Sequence, residues 1–105
     1  MTVEKVFELQ DLVGQLGKTG NYFIEFLKTG NLEAGIIVLH AGEKDTQEPH
    51  AADELYYIIE GSGFMELGKC KQPVKKGSII FVPAKMNHRF YCNREDLVIL
   101  YLFAE

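Results

Sequence analysis

The sequence predicts an all-β fold, a sandwich or small barrel, with one short helix near its start. Three observations point there. Short runs rich in aromatic and β-branched residues recur about every ten residues, most of them closed by glycine, proline or asparagine. Past the first twenty residues no segment keeps a helical spacing. Nothing repeats at a fixed long period, and no low-complexity stretch divides the 105 residues. One domain over 1–105 is therefore expected, because two would each be too small to bury a core.

The helix is expected in "FELQDLVGQLG", where Phe7, Leu9, Leu12, Val13 and Leu16 fall three or four apart. Gly17 is placed to end it. Strands follow in "NYFIEFLKTG", "LEAGIIVLHAGE", "ELYYIIEGSGFMELG", "KKGSIIFVPA", "NHRFYCN" and "DLVILYLFAE". "EGSG" reads as a hairpin connection, since two glycines can take positive φ. Pro83 closes its strand, where a missing backbone donor does little harm. Six or seven strands result.

Composition narrows the function classes. Hydrophobic residues make up 47% and aromatics 11%, values of a globular chain. The net charge of −4 comes with interspersed signs and no basic block, which argues against nucleic acid as a partner. The longest apolar runs, "VILYLF" and "IIVL", fall far short of the roughly 20 residues a membrane span needs. "MTVEKVFELQ" lacks the apolar core of a signal peptide. Cys70 and Cys92 make no disulfide framework. A cytoplasmic protein is the expectation.

Chemistry concentrates in "EPHAADELYYIIEG", residues 48–61. Along extended chain, side chains two or four apart share a face. Glu48, His50 and Glu54 can then converge on the side of Tyr56 and Ile58, unless a bulge resets the register. Two inward carboxylates cannot both ionise cheaply in a poorly hydrated space, so either one stays protonated or a cation neutralises them. A divalent metal would resolve the conflict and recruit His50. Further ligands must come from the remaining histidines, His40 and His88. His88 opens a run in which it shares a face with Phe90 and Cys92. Each residue also has an ordinary reading: a hydrogen-bonded surface histidine, a solvated acidic loop, a small buried cysteine.

The two segments together resemble the motifs of the cupin superfamily. Gly42, five residues, Glu48-Pro-His50, three residues, Glu54, six residues and Gly61 follow the first motif, except that Glu48 stands where its leading histidine belongs. Gly77, five residues, Pro83, and His88 follow the second. There Lys85 replaces a glycine, and Cys92 falls where asparagine closes the pattern, with Asn93 next to it. The fifteen residues between Gly61 and Gly77 suit a small single-domain cupin. The resemblance, over about 42–61 and 77–93, implies a double-stranded β-helix, or jelly-roll, barrel with a metal in its mouth, usually dimeric. Its ligands would be His50, Glu54 and His88, with Glu48 either a fourth ligand or a general base beside the metal. A hard-donor set of this kind favours Fe or Mn, with Zn or Ni as possible occupants.

What the site would do stays open among three readings. An enzyme would use the metal to polarise a small bidentate molecule for dioxygenase, isomerase or lyase chemistry. A binding module would hold a small ligand or the metal without turnover. A metal-free structural barrel would leave Glu54 exposed. By strand position Tyr56, Met65, Phe81, Phe90 and Tyr91 are candidates for the ligand pocket. Phe81, Phe90 or Met86 packed across the mouth would instead mark a closed module. A homodimer is expected, with "VILYLF" and "YFIEFL" as candidate interface or sheet-pairing segments.

Overall fold

In the computed structural model, which describes residues 5–104, the expected helix forms over Leu9–Gly17 (α1). Leu12 and Leu16 are its buried positions, four apart on one face that packs on the strands Phe23–Lys28 and Leu32–Leu39. Gly17 is the last helical residue and not the stop. The Thr19 hydroxyl donates to the Leu16 carbonyl at 2.8 Å, and the chain reverses at Gly20, φ 75°. The first four residues of the stretch weighed as a leader, and Glu105, lie outside the described residues. No described helix is long and apolar enough to cross a membrane.

Eight strands follow: β1 (Phe23–Lys28), β2 (Leu32–Leu39), β3 (Glu54–Glu60), β4 (Ser62–Leu67), β5 (Cys70–Lys75), β6 (Ile79–Val82), β7 (His88–Tyr91) and β8 (Leu97–Ala104). They form a five-stranded sheet in the order β1-β2-β8-β3-β6 and a three-stranded sheet in the order β5-β4-β7, with every pairing antiparallel. This is the jelly-roll barrel the sequence predicts.

Three details differ from the sequence reading. β5 was not expected, because "CKQPVK" is polar and only Val74 is buried. It is an edge strand, which is why Pro73 is tolerated within it. "EGSG" is no hairpin: β3 and β4 belong to different sheets, and the chain crosses between them at Gly61, φ 90°. A Cβ there would sit 2.3 Å from the Asp96 carbonyl oxygen, so close approach as well as φ requires glycine. Finally, "VILYLF" offers no free edge. It lies in β8, at the centre of the larger sheet, with both sides hydrogen-bonded to β2 and β3. "YFIEFL" does contain the edge strand β1.

Strand parity sets the interior. Cross-strand rows on the inner face of the large sheet run Phe23–Ile37–Ile99–Ile58, then Glu25–Gly35–Tyr101–Tyr56–Ile80, then Glu33–Phe103–Glu54–Val82. Opposite them, the small sheet supplies Met65 and Phe90, then Leu67 and His88, as paired neighbours. At one end the interior is closed by Leu39, Ile58, Met65, Leu97 and Ile99, all fully buried. Towards the other end the same strands place Glu54 and His88 at inward positions. On the outer face, Leu55, Tyr57, Ile79 and Phe81 form an exposed apolar block across β3 and β6.

Candidate metal centre

Glu54 begins β3 and His88 begins β7, so the two sheets each contribute one ligand across the interior. His50 arrives from the unpaired segment 41–53, where the Lys85 N–H donates to its carbonyl at 2.6 Å and ties the two motif loops together. One ligand atom from each of His50, Glu54 and His88 lies within 4.8 Å of the other two. The His88 Nε2 is 3.5 Å and the His50 Nε2 3.8 Å from the Glu54 Oε1.

The buried chemistry of this group calls for a cation. Both oxygens of Glu54 and the Nε2 of His88 are buried without a hydrogen-bond partner among the described residues. Such atoms ordinarily cost a folded chain more than 1 kcal/mol each, roughly, and three in contact are a strong sign of a missing partner. The His88 Nδ1 donates to the Met86 carbonyl at 2.9 Å, which leaves its Nε2 lone pair aimed at Glu54. Burial raises the Glu54 carboxyl from 4.5 to about 7. Burial, then the charge of His88, lowers His50, so that its imidazole tends to the neutral form a metal binds. A carboxylate and two neutral imidazoles, each with an atom free to donate, fit a divalent ion.

Glu48 is not part of the group. It is exposed and stands on the rim of the neighbouring cavity. The even-offset argument fails here because strand β3 starts only at Glu54. In the segment before it, Asp45 and Gln47 turn inward and Pro49 resets the register before His50. Asp45 anchors that segment: its carboxylate accepts from the Phe90 N–H at 2.9 Å and from the Gln47 side chain at 2.9 Å. Gln47 in turn accepts from the Tyr56 hydroxyl at 2.7 Å. His40 lies apart, paired on the surface with Asp96 at 2.8 Å.

The cavity beside His50 has a volume of about 330 Å³. None of the five residues expected to line a pocket faces it. Met65 and Phe90 are buried in the packed core, and Tyr56 is buried with its ring 5.8 Å from His88. Phe81 points outward, 54% exposed, because it alternates with Ile80 and Val82. Tyr91 also faces out, against Phe64 and under Arg89. The mouth is therefore not shut by Phe81 or Phe90. The walls come instead from β1, β2 and β8, chiefly Glu25, Glu33, Tyr101 and Phe103, with Tyr22 just before β1. The available signal was a carboxylate at an inward position in each of two apolar strands, with Gly35 beside them. A Cβ on Gly35 would meet the Tyr101 ring at 2.2 Å, so only glycine lets that ring lie across β2.

A family model described as a cupin domain matches residues 35–103. The chain is a cupin. This cupin is 34% identical to an uncharacterized protein of Streptomyces coelicolor over 95% of both chains. It is also 35% identical, over 47% of its own length, to an acireductone dioxygenase of Sorghum bicolor, and 41% identical, over 39%, to one of Heterostelium pallidum. Those stretches span only 30% and 32% of the two dioxygenases. Among solved structures, a Bacillus halodurans protein matches 95% of this cupin, and 80% of its own chain, at a TM-score of 0.78 and 18% identity. The cupin domain of Schizosaccharomyces pombe Cnp3 matches 78%, and 62% of its own chain, at 0.71 and 18% identity. Likeness at that identity establishes the fold.

The two departures in the second motif have a structural counterpart. Lys85 (φ 68°) and Cys92 (φ 55°) are the two non-glycine residues with positive φ among those described. Lys85 keeps the left-handed turn that the family builds with glycine. Asn93, not Cys92, does the buried work at the end of the second motif, donating to the Leu39 and Glu95 carbonyls at 2.9 Å each.

Proposed function

We propose that this cupin holds a divalent metal, iron or manganese before zinc or nickel, on His50, Glu54 and His88, and uses it on a small organic molecule that binds through two oxygens. The observation that carries the reading is the trio of buried, partnerless polar atoms on Glu54 and His88, beside a cavity that His50 also lines. A structural barrel would have left Glu54 exposed; it is 2% exposed. Two imidazoles and one carboxylate leave a divalent ion one positive charge and open positions, a set suited to non-haem iron oxygenases. The partial likeness to acireductone dioxygenases supports dioxygenation over isomerase or lyase chemistry.

When bound, the metal would supply Lewis acidity to the coordinated oxygens. The chain's own residues do the rest. Met86 fixes the tautomer of His88, Gln47 and Asp45 hold the loop that presents His50, and Glu48 at the rim is the carboxylate available to take a proton from the entering molecule. Untagged protein is expected to carry about one metal per chain by elemental analysis and to lose it on His88→Ala. Dioxygen uptake when an acireductone is added to the iron-loaded protein supports an enzyme. Tight binding without uptake makes the domain a non-catalytic ligand-binding module. Stoichiometric metal absent from the parent protein, with melting unchanged in chelator, removes the reading.

The exposed block of Leu55, Tyr57, Ile79 and Phe81 is the surface we assign to a homodimer, since apolar side chains of adjacent strands gain most by covering one another. Light scattering should give a dimer mass for the parent protein and a monomer for Ile79→Lys with Phe81→Glu.

A further inference from the structure

We propose that the cavity selects a cationic ligand, a small amine that also carries two metal-binding oxygens, and rejects carboxylates of the same shape. This rests on the metal reading above and adds the charge of the substrate to it. The walls next to His50 are aromatic and acidic. Glu25 and Glu33 occupy inner-face positions on β1 and β2, with Glu48 at the rim, and no lysine or arginine lines the space. Lys28 is paired with Glu33 at 3.3 Å and is mostly exposed. A ligand carboxylate would meet Glu25, Glu48 and a Glu33 already paired with Lys28, with no lysine or arginine among the described lining residues.

The Tyr101 hydroxyl supplies an independent pointer to a ligand. Tyr101 is 94% buried, borders the cavity, and finds no hydrogen-bond partner for its hydroxyl among the described residues. Burial and then the charges of Glu25, Glu33 and Glu54 hold it in the neutral form. It stands at the cavity wall, where a ligand can complete it. Its ring stacks on Phe103 at 5.5 Å, and the Phe103 ring in turn lies 4.6 Å from His50. Aromatic faces backed by carboxylates are the surroundings in which ammonium groups are held. A molecule of suitable length would place its oxygens by His50 and its nitrogen between Glu25, Glu33 and Tyr101.

Three catechols with one chelating head and different tails separate the charge effect from the metal effect: dopamine (positive), 4-methylcatechol (neutral) and 3,4-dihydroxyphenylacetate (negative). They are titrated calorimetrically into zinc-loaded protein, which excludes redox chemistry, without oxygen. Dopamine should bind roughly tenfold or more tightly than the acid, with the neutral catechol between, as expected for partly screened charges at a few ångströms. The ratio should shrink in high salt and fall close to one in Glu25→Gln with Glu33→Gln. The salt series holds even if that double variant folds poorly. Acid binding equal to or tighter than dopamine overturns the proposal while leaving the metal reading intact. A dopamine preference that persists in metal-free His88→Ala upholds charge selection and shows that the metal is not what holds the catechol. No binding of any catechol to zinc-loaded protein overturns the proposal, while zinc retained by that protein keeps the metal reading.

Discussion

The two ends of the barrel interior are built by the same strands and by the same inward positions, yet they hold opposite chemistry. On β3, Ile58 faces the closed end and Glu54 the open one. On β7 the pair is Phe90 and His88; on β8 it is Ile99 and Tyr101. At the closed end Leu39, Ile58, Met65, Leu97 and Ile99 are apolar and fully buried. At the open end two inward residues, Glu54 and His88, carry buried atoms with no hydrogen-bond partner among the described residues. A polar residue at an interior position therefore has two outcomes. Asn93 is buried and bonded to two carbonyls, which makes it structural. Glu54 is buried and its carboxylate has no hydrogen-bond partner among the described residues, which marks a candidate ligand site.

Truncation at the two ends should break different properties. Ile58→Ala at the closed end is expected to cost about 3 kcal/mol in denaturant unfolding, transfer loss and cavity together, with metal content unchanged. At the open end Glu54→Leu should abolish metal binding while leaving metal-free stability equal or higher, because an unpartnered buried carboxyl is replaced by apolar volume. If Glu54→Leu costs as much as Ile58→Ala in metal-free protein, the two ends do not differ in the way described.

The next effect is one of pH. In metal-free protein the buried Glu54 carboxyl titrates near 7, against 4.5 unfolded. Between those values the folded state binds more protons than the unfolded one, so stability falls as pH rises from 4.5 to 7, by roughly 3 kcal/mol for a displacement of this size. Added divalent metal should cancel the slope, since it takes the proton's place, and metal binding below pH 7 should release a proton measurable by calorimetry in buffers of different ionisation enthalpy. A flat pH profile in chelator, equal to that of Glu54→Gln, would deny the burial effect.

Two smaller tests concern the loops that carry the ends together. Lys85→Gly should raise stability by about 1 kcal/mol, the usual cost of holding a side chain at left-handed φ, and leave the Lys85 N–H bond to His50 in place. The exposed His40–Asp96 pair offers the smallest effect. Asp96 raises His40, first by its hydrogen bond and then by its charge. The contribution is therefore present below the unfolded value of 6.5 and disappears as pH rises through the folded one. Asp96→Asn should remove this shift from the His40 ring signals in an NMR titration while melting hardly changes.

Much of the fold was legible because its signals are local. Short aromatic and β-branched runs closed by turn residues marked β1, β2, β3, β4, β6, β7 and β8. β5 escaped because its one buried residue, Val74, gives no pattern. The Gly61 crossing was hidden because positive φ serves a hairpin and a change of sheet equally well. At the site, His50, Glu54 and His88 stood out as residue types in a spaced pattern. Glu48 misled because parity holds only along a strand, and β3 begins only at Glu54.

The sequence by itself determined that His50, Glu54 and His88 could meet, because motif spacing is a property of the chain alone. Only the tertiary structure decided what surrounds them. Most of the cavity wall comes from β1, β2 and β8, outside the motif segments, through registers that pair Glu25 with Gly35 and Gly35 with Tyr101. Hydrogen-bond register and sheet order are set by the packing of the whole barrel, and no local pattern in the chain encodes which distant carboxylate will stand beside the metal.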